Sequence, residues 1–199
     1  QHLISQHQQE IFPLLEKRYL FSQAGFFQLY DFIDNHGNIN ENVFAFTNRS
    51  GNETALVLYN NSYTECRGTI NFSVGKAYNE DKEYQNGFIR IAAALGFKAS
   101  NKIYYSCREH KTNLQFLFSG REIVDHGFHN YLRGYQYKIF LDFAEIYDAD
   151  GRYEELYRQL ANKGVESIDF RIKQLQNEPL HSVFDKFLKS ESFEKILDN

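Results

Sequence analysis

The sequence predicts a mainly β fold, an antiparallel β-sandwich of about seven strands with an N-terminal helix and a C-terminal helical extension. Three observations lead there. The chain is 17% aromatic, carried by 19 Phe and 14 Tyr with no Trp, and flat rings of this kind pack well between sheets. Strand-like runs recur between turn clusters at intervals of roughly 10–15 residues. Beyond Asp148 the apolar spacing becomes helical instead. The expected division is a helical segment over residues 1–24, a sandwich over 25–147, and helices over 148–199 packed on it.

Within residues 2–23, Ile4, Ile11, Phe12, Leu15 and Tyr19 fall near helical spacing. Pro13 suits the first turn of a helix and not its interior, so a helix is expected from Pro13 to about Phe21. Glu16-Lys17-Arg18 reads as its solvated face. FFQLYDFI (26–33) reads as one strand, followed by the turn-rich DNHGNINEN.

The centre of the pattern is Val43–Asn61, where two strand-forming runs flank Ser50-Gly51-Asn52-Glu53. That arrangement predicts a β-hairpin, with Phe44 and Phe46 on one side and Val43, Ala45 and Thr47 on the other. Leu56 and Leu58 alternate with Val57 and Tyr59 on the return. Both faces are largely apolar, so the hairpin is expected well inside a sheet.

Thr69–Val74 alternates as a strand, and Asn79–Asn86 reads as a polar loop. The alanines of Gly87–Leu95 favour a short helix. Lys102–Cys107 and Asn113–Phe118 are strand-like, and Ser119 with Glu122 offers a capping box for a helix start. Tyr135–Phe143 is the last strong strand. Afterwards Tyr153, Leu156, Tyr157 and Leu160 mark one helical face that Gly164 is placed to stop. Ile168, Ile172 and Leu175 mark a second, and Val183, Phe184, Phe187 and Leu188 a third.

A formal net charge of −4 disfavours a nucleic-acid partner, whose binders carry a basic face. No apolar run approaches the roughly 18 residues of a membrane span, so no membrane partner is expected. Cys66 and Cys107 are too few for a disulfide framework and read as small reduced apolar residues, favouring the cytoplasm without fixing the compartment. The chain contains no Met, so its first residue is not a translation start, and a piece of a longer protein is expected.

Residues that carry chemistry are few. His126 and His129 lie three apart, but no HExxH or CxxC spacing accompanies them, so neither a metal site nor a cofactor is expected. Asp142 and Glu145, with Asp148 and Asp150, raise the question of an acid pair for glycoside hydrolysis. Their place before a helical stretch suits the positive end of a helix better. No GxSxG or phosphate-cradling glycine loop is present, so no catalytic residue is assigned. Asn48, Asn52, Asn60 and Asn71 each satisfy N-x-S/T, a pattern that an Asn-rich chain produces by coincidence. Tyr63 in NNSYTECRG and Tyr84 in NEDKEYQNG are aromatics in polar loops. They are the candidate carbohydrate-stacking residues, although ordinary surface tyrosines are commoner.

In order, EIFPLLEKRYLF, FQLYDF, NENVFAFTNRSGNETALVLYNNSY and GYQYKIFLDFAEIYD resemble the C-terminal part of glycoside hydrolase family 13, the α-amylase family. The resemblance covers most of residues 10–147. It implies that EIFPLLEKRYLF is the tail of the last helix of a catalytic (β/α)8 barrel in the same polypeptide, and that the rest is the sandwich following it. The family's catalytic aspartates and glutamate lie on barrel strands, none of which is present, so no residue here inherits a catalytic role. The resemblance thus implies a non-catalytic domain that stabilises the barrel and contacts α-glucan, within a parent enzyme whose choice between hydrolysis and glucan transfer stays open. The alternative is an autonomous carbohydrate-binding module.

Overall fold

The computed structural model describes residues 7–22, 24–75 and 88–177. Nine strands appear among them, two more than the spacing of turns suggested. They are β1 (Gln28–Tyr30), β2 (Ile33–Asp34), β3 (Val43–Ser50), β4 (Glu53–Asn60), β5 (Cys66–Ile70), β6 (Ile103–Glu109), β7 (Gln115–Ser119), β8 (Phe128–Leu132) and β9 (Tyr137–Tyr147). The helices are α1 (Phe12–Glu16), α2 (Ile91–Leu95), α3 (Gly120–His126), α4 (Arg152–Leu160) and a fifth, α5, whose described part is 168–177.

The strands form two antiparallel sheets, one ordered β1-β3-β4-β9-β6-β7 and the other β2-β5-β8. The mainly β sandwich read from the sequence is therefore the fold. Its centre is the β3–β4 hairpin, whose register runs from Val43 opposite Asn60 to Ser50 opposite Glu53. Gly51, at φ 59°, supplies the positive φ that the two-residue turn needs. Val43, Ala45, Leu56 and Leu58 face the second sheet, while Ala55 and Val57 face the opposite way. Two-residue periodicity puts apolar groups on both sides because both sides are covered.

Between the sheets, Phe128 and Phe140 are almost wholly buried. Their ring centroids lie 5.5 Å apart, and Phe118 sits 4.8 Å from Phe128. The outer face of the larger sheet is covered in two places. Leu156, Leu160, Ile168 and Ile172 of α4 and α5 pack on Tyr104 and Leu117. Leu14 and Leu20 of the N-terminal segment pack on Ala55, Ile139 and Leu141.

Several elements differ from the sequence reading, each for a physical reason. The run FFQLYDFI makes two strands in different sheets, because the chain crosses between layers at Asp31-Phe32 and buries the Phe32 ring completely. The N-terminal helical stretch begins ahead of Pro13, with a wide π-type turn over His7–Ile11 that leads into α1 and a tighter turn over Arg18–Leu20 after it. Lys17 leaves the solvated face expected for it, and its ammonium bonds Glu53 at 3.1 Å and Asp142 at 2.7 Å. The strand expected over 69–74 lies over Cys66–Ile70, followed by isolated bridges at Phe72 and Ser73.

The stretch around His129, given no element from the sequence, is β8 over Phe128–Leu132, an edge strand that buries Phe128, Asn130 and Leu132 on alternate positions. α4 stops at Leu160 on Ala161 and Asn162, both at positive φ. Gly164 has another task, since a Cβ there would lie 2.7 Å from the Phe116 ring. Half of the expected capping box forms. Ser119 Oγ accepts the Glu122 N–H at 3.4 Å, while the Glu122 carboxylate accepts the Tyr157 hydroxyl instead. The polar loop 79–86 and the helical face at 183–188 lie outside the described residues.

Candidate functional site

Two loops at one end of the sandwich hold the candidate aromatic site. The first, between β4 and β5, is built by Asn60, whose side chain is buried. Its Nδ2 donates to Thr64 O at 2.7 Å and to Arg133 O at 3.0 Å, and its Oδ1 accepts the Ser62 N–H at 3.1 Å. An Asn in this position folds the loop through its own amide and ties it to the second loop, between β8 and β9.

That second loop is fastened again where the Tyr135 N–H donates to Ser62 O at 2.9 Å. A Cβ at Gly134 would lie 2.2 Å from Tyr63 O, so only glycine allows the two backbones this close. The result is one fixed wall carrying Tyr63, 82% exposed, and Tyr135, 62% exposed. Tyr135 holds φ at 54°. Polar groups border the wall. The Tyr131 hydroxyl donates to Glu65 at 2.6 Å, which together with burial raises its pKa, and the Arg67 guanidinium lies 4.9 Å over the Tyr131 ring. Exposed rings on tethered loops, fringed by hydrogen-bonding groups, suit the apolar face and hydroxyls of a sugar.

The sequence identified Tyr63 and missed Tyr135, which it assigned to the last strand. The signal was Arg-Gly-Tyr immediately after an alternating run, where a glycine interrupts the strand pattern. Tyr84 lies outside the described residues.

Asp142 and Glu145 do not lead into a helix; both are on β9. A β-bulge opposite Cys107 places Asp142 at φ 57°, and it points to Lys17 of the N-terminal segment. Glu145 points to the other side of the sheet, accepting from Lys98 at 2.9 Å and from the Tyr105 hydroxyl at 2.8 Å. Those two bonds hold its carboxyl below the usual range. The two acids therefore do not converge on a common point. Asp148 is the helix-associated acid, accepting the Gly151 and Glu154 N–H groups at 3.0 Å each.

His129 Nδ1 lies 2.9 Å from Thr69 Oγ1 across the β5–β8 pair, and His126 ends α3. Among the described residues no group of three His, Cys, Asp or Glu side chains is placed to hold a metal, and no described helix is long and apolar enough to cross a membrane. Cys66 and Cys107 are both free thiols; burial pushes the Cys107 thiol up. Asn48 and Asn60 are buried, so neither N-x-S/T site can present its amide to a glycosylating enzyme.

A second surface is apolar. None of the α1 side chains is buried; Phe12 is 52% and Leu15 57% exposed, with Ile11 and Tyr19 beside them. Phe26, just ahead of β1, Leu29 on β1 and Phe44 on β3 are also exposed. Compared with known proteins, the chain matches no family model, no curated protein and no solved structure.

Proposed function

We propose that this chain is the non-catalytic C-terminal β-sandwich of an α-amylase-family glycoside hydrolase or glucanotransferase, seated on a catalytic (β/α)8 barrel of the same polypeptide. The observation that carries the reading is the exposed apolar flank from Ile11 through Leu29 and Phe44. Large apolar side chains left exposed mark an interface, and Ile11, Phe12, Leu15 and Tyr19 lie on the segment that the family resemblance assigns to the last barrel helix. Each large side chain buried there contributes about 1.5–3 kcal/mol to the joint stability of the two bodies.

The test is Phe12→Asp combined with Leu15→Asp in the full-length parent. The thermal midpoint of the catalytic domain should fall and protease should cut between the two bodies, while the isolated 199-residue chain keeps its own midpoint. An unchanged parent overturns the proposal. So does hydrolysis of maltoheptaose by the isolated chain.

One observation favours the second reading, an autonomous carbohydrate-binding module: Tyr63 and Tyr135 stand exposed on mutually fastened loops. Calorimetric titration of the isolated chain with maltoheptaose separates the two. Binding that disappears in Tyr63→Ala and in Tyr135→Ala supports the module; absence of heat leaves the purely structural role.

A further inference from the structure

Lys138 is out of keeping with its place in the sheet. It shares a face of β9 with Phe140 and pairs with Leu58, so it looks into the layer between the two sheets. Its ammonium donates to Asn130 Oδ1 at 2.8 Å, a neutral acceptor that also takes the Tyr131 N–H at 3.0 Å. Among the described residues no carboxylate forms an ion pair with it. Burial holds this ammonium below the ordinary lysine range, offset in part by Glu109 acting through space. The Glu109 oxygens are themselves taken by the Lys111 and Thr112 N–H groups and the Thr112 hydroxyl. A half-buried cation without a paired anion is uncommon, because desolvation is then uncompensated.

The ammonium opens on a cleft of about 420 Å³ whose lining includes Arg67, His129, Lys138 and Lys163 and no carboxylate. Arg67 and Lys163 also form no ion pair among the described residues. Phe116 and Tyr131 provide apolar wall. Cationic side chains with no carboxylate among them around one concavity suit a dianion better than a carboxylate, since phosphate offers about two charges and three acceptor oxygens.

We propose that this inter-sheet cleft binds a phosphate monoester of a small molecule, with the phosphate on Lys138 and Lys163 and the organic body against Phe116 and Tyr131. The site shares Arg67 and Tyr131 with the border of the tyrosine loops and shares no residue with the apolar flank.

Phenyl phosphate and inorganic phosphate are titrated into the chain by calorimetry, with thermal midpoints recorded in parallel. Phenyl phosphate is expected to bind, to raise the midpoint and to bind more tightly than inorganic phosphate. Lys138→Met keeps the packed stem and should weaken phenyl phosphate by about tenfold or more. Lys163→Met, in the loop after α4, should do the same without risk to the fold, and Lys111→Met outside the cleft should change nothing. Equal binding of inorganic phosphate overturns the monoester assignment. Absence of binding, or binding that survives both cleft variants, overturns the site, as does a Lys138→Met variant that loses stability while phosphate has no effect on the native chain.

Discussion

Gly68 and Gly51 are glycine for different reasons, and alanine at each separates them. At Gly68 a Cβ would lie 2.3 Å from Ile33 O and 2.6 Å from the Phe32 ring. β5 approaches β2 closely there, and neither backbone can give way without disturbing the pairing. Gly68→Ala should cost about 1–3 kcal/mol, as overpacking does, and lower the urea midpoint. Gly51 has open space around its Cβ position but sits at φ 59°. Gly51→Ala should cost only about 1 kcal/mol, the steric penalty of a left-handed alanine. Equal losses at the two positions would contradict this account. Residue identity reveals a glycine but not which of the two constraints it answers. Tyr63 was likewise legible from its polar neighbours, whereas Tyr135 was marked only by the glycine before it, and its exposure depends on a positive φ and on the neighbouring loop.

Among the elements, α3 gives a direct test of local sequence signals. Ser119→Ala removes the cap on Glu122 N–H and should destabilise the protein by about 0.5–1 kcal/mol, readable as a shift in the denaturant midpoint with an unchanged slope. Glu122→Gln should disturb the contact with Tyr157 more than the helix start, since its carboxylate serves that hydroxyl. The β3–β4 hairpin was legible because alternation, turn residues and strand propensity agree over its whole length. FFQLYDFI was not, because a strand that changes sheets keeps the same apolar run as one that does not. β8 escaped notice because its outward positions carry His129 and its inward ones include Asn130. The proposed phosphate cleft was hidden in the same way: a lysine inside a strand run carries no mark of its face, and only register shows Lys138 turned inward.

For the molecule as a whole, the tyrosines set an alkaline limit. Burial, set against its bond with Thr47, pushes Tyr30 from 10.0 up to about 12. Burial and the Glu145 carboxylate do the same for Tyr105. Unfolded tyrosines ionise first, so the unfolded chain loses protons that the native one retains. The stability these groups contribute is complete below pH 10 and is lost as pH rises toward about 12. Equilibrium unfolding across that window should show a steady decline, reduced in Tyr30→Phe; a flat profile would contradict the assignment. At the acid end, Glu145 and Glu53 are held below the usual carboxylate range by Lys98 and Tyr105 and by Tyr19 and Lys17 respectively. Their contribution is present above the ordinary carboxylate value and disappears as pH falls through the depressed one.

β9 joins β4 on one side and β6 on the other, and it is the last strand among the described residues. Until it arrives, the earlier strands of the larger sheet are two unconnected pieces, each with a raw edge. A chain emerging from the ribosome must therefore wait for Tyr137–Tyr147 before either piece gains its neighbour, and helper proteins that shield open edges would matter most during that interval. Cutting the chain just ahead of Tyr137 would leave β1-β3-β4 and the β6–β7 hairpin without the strand that pairs with both.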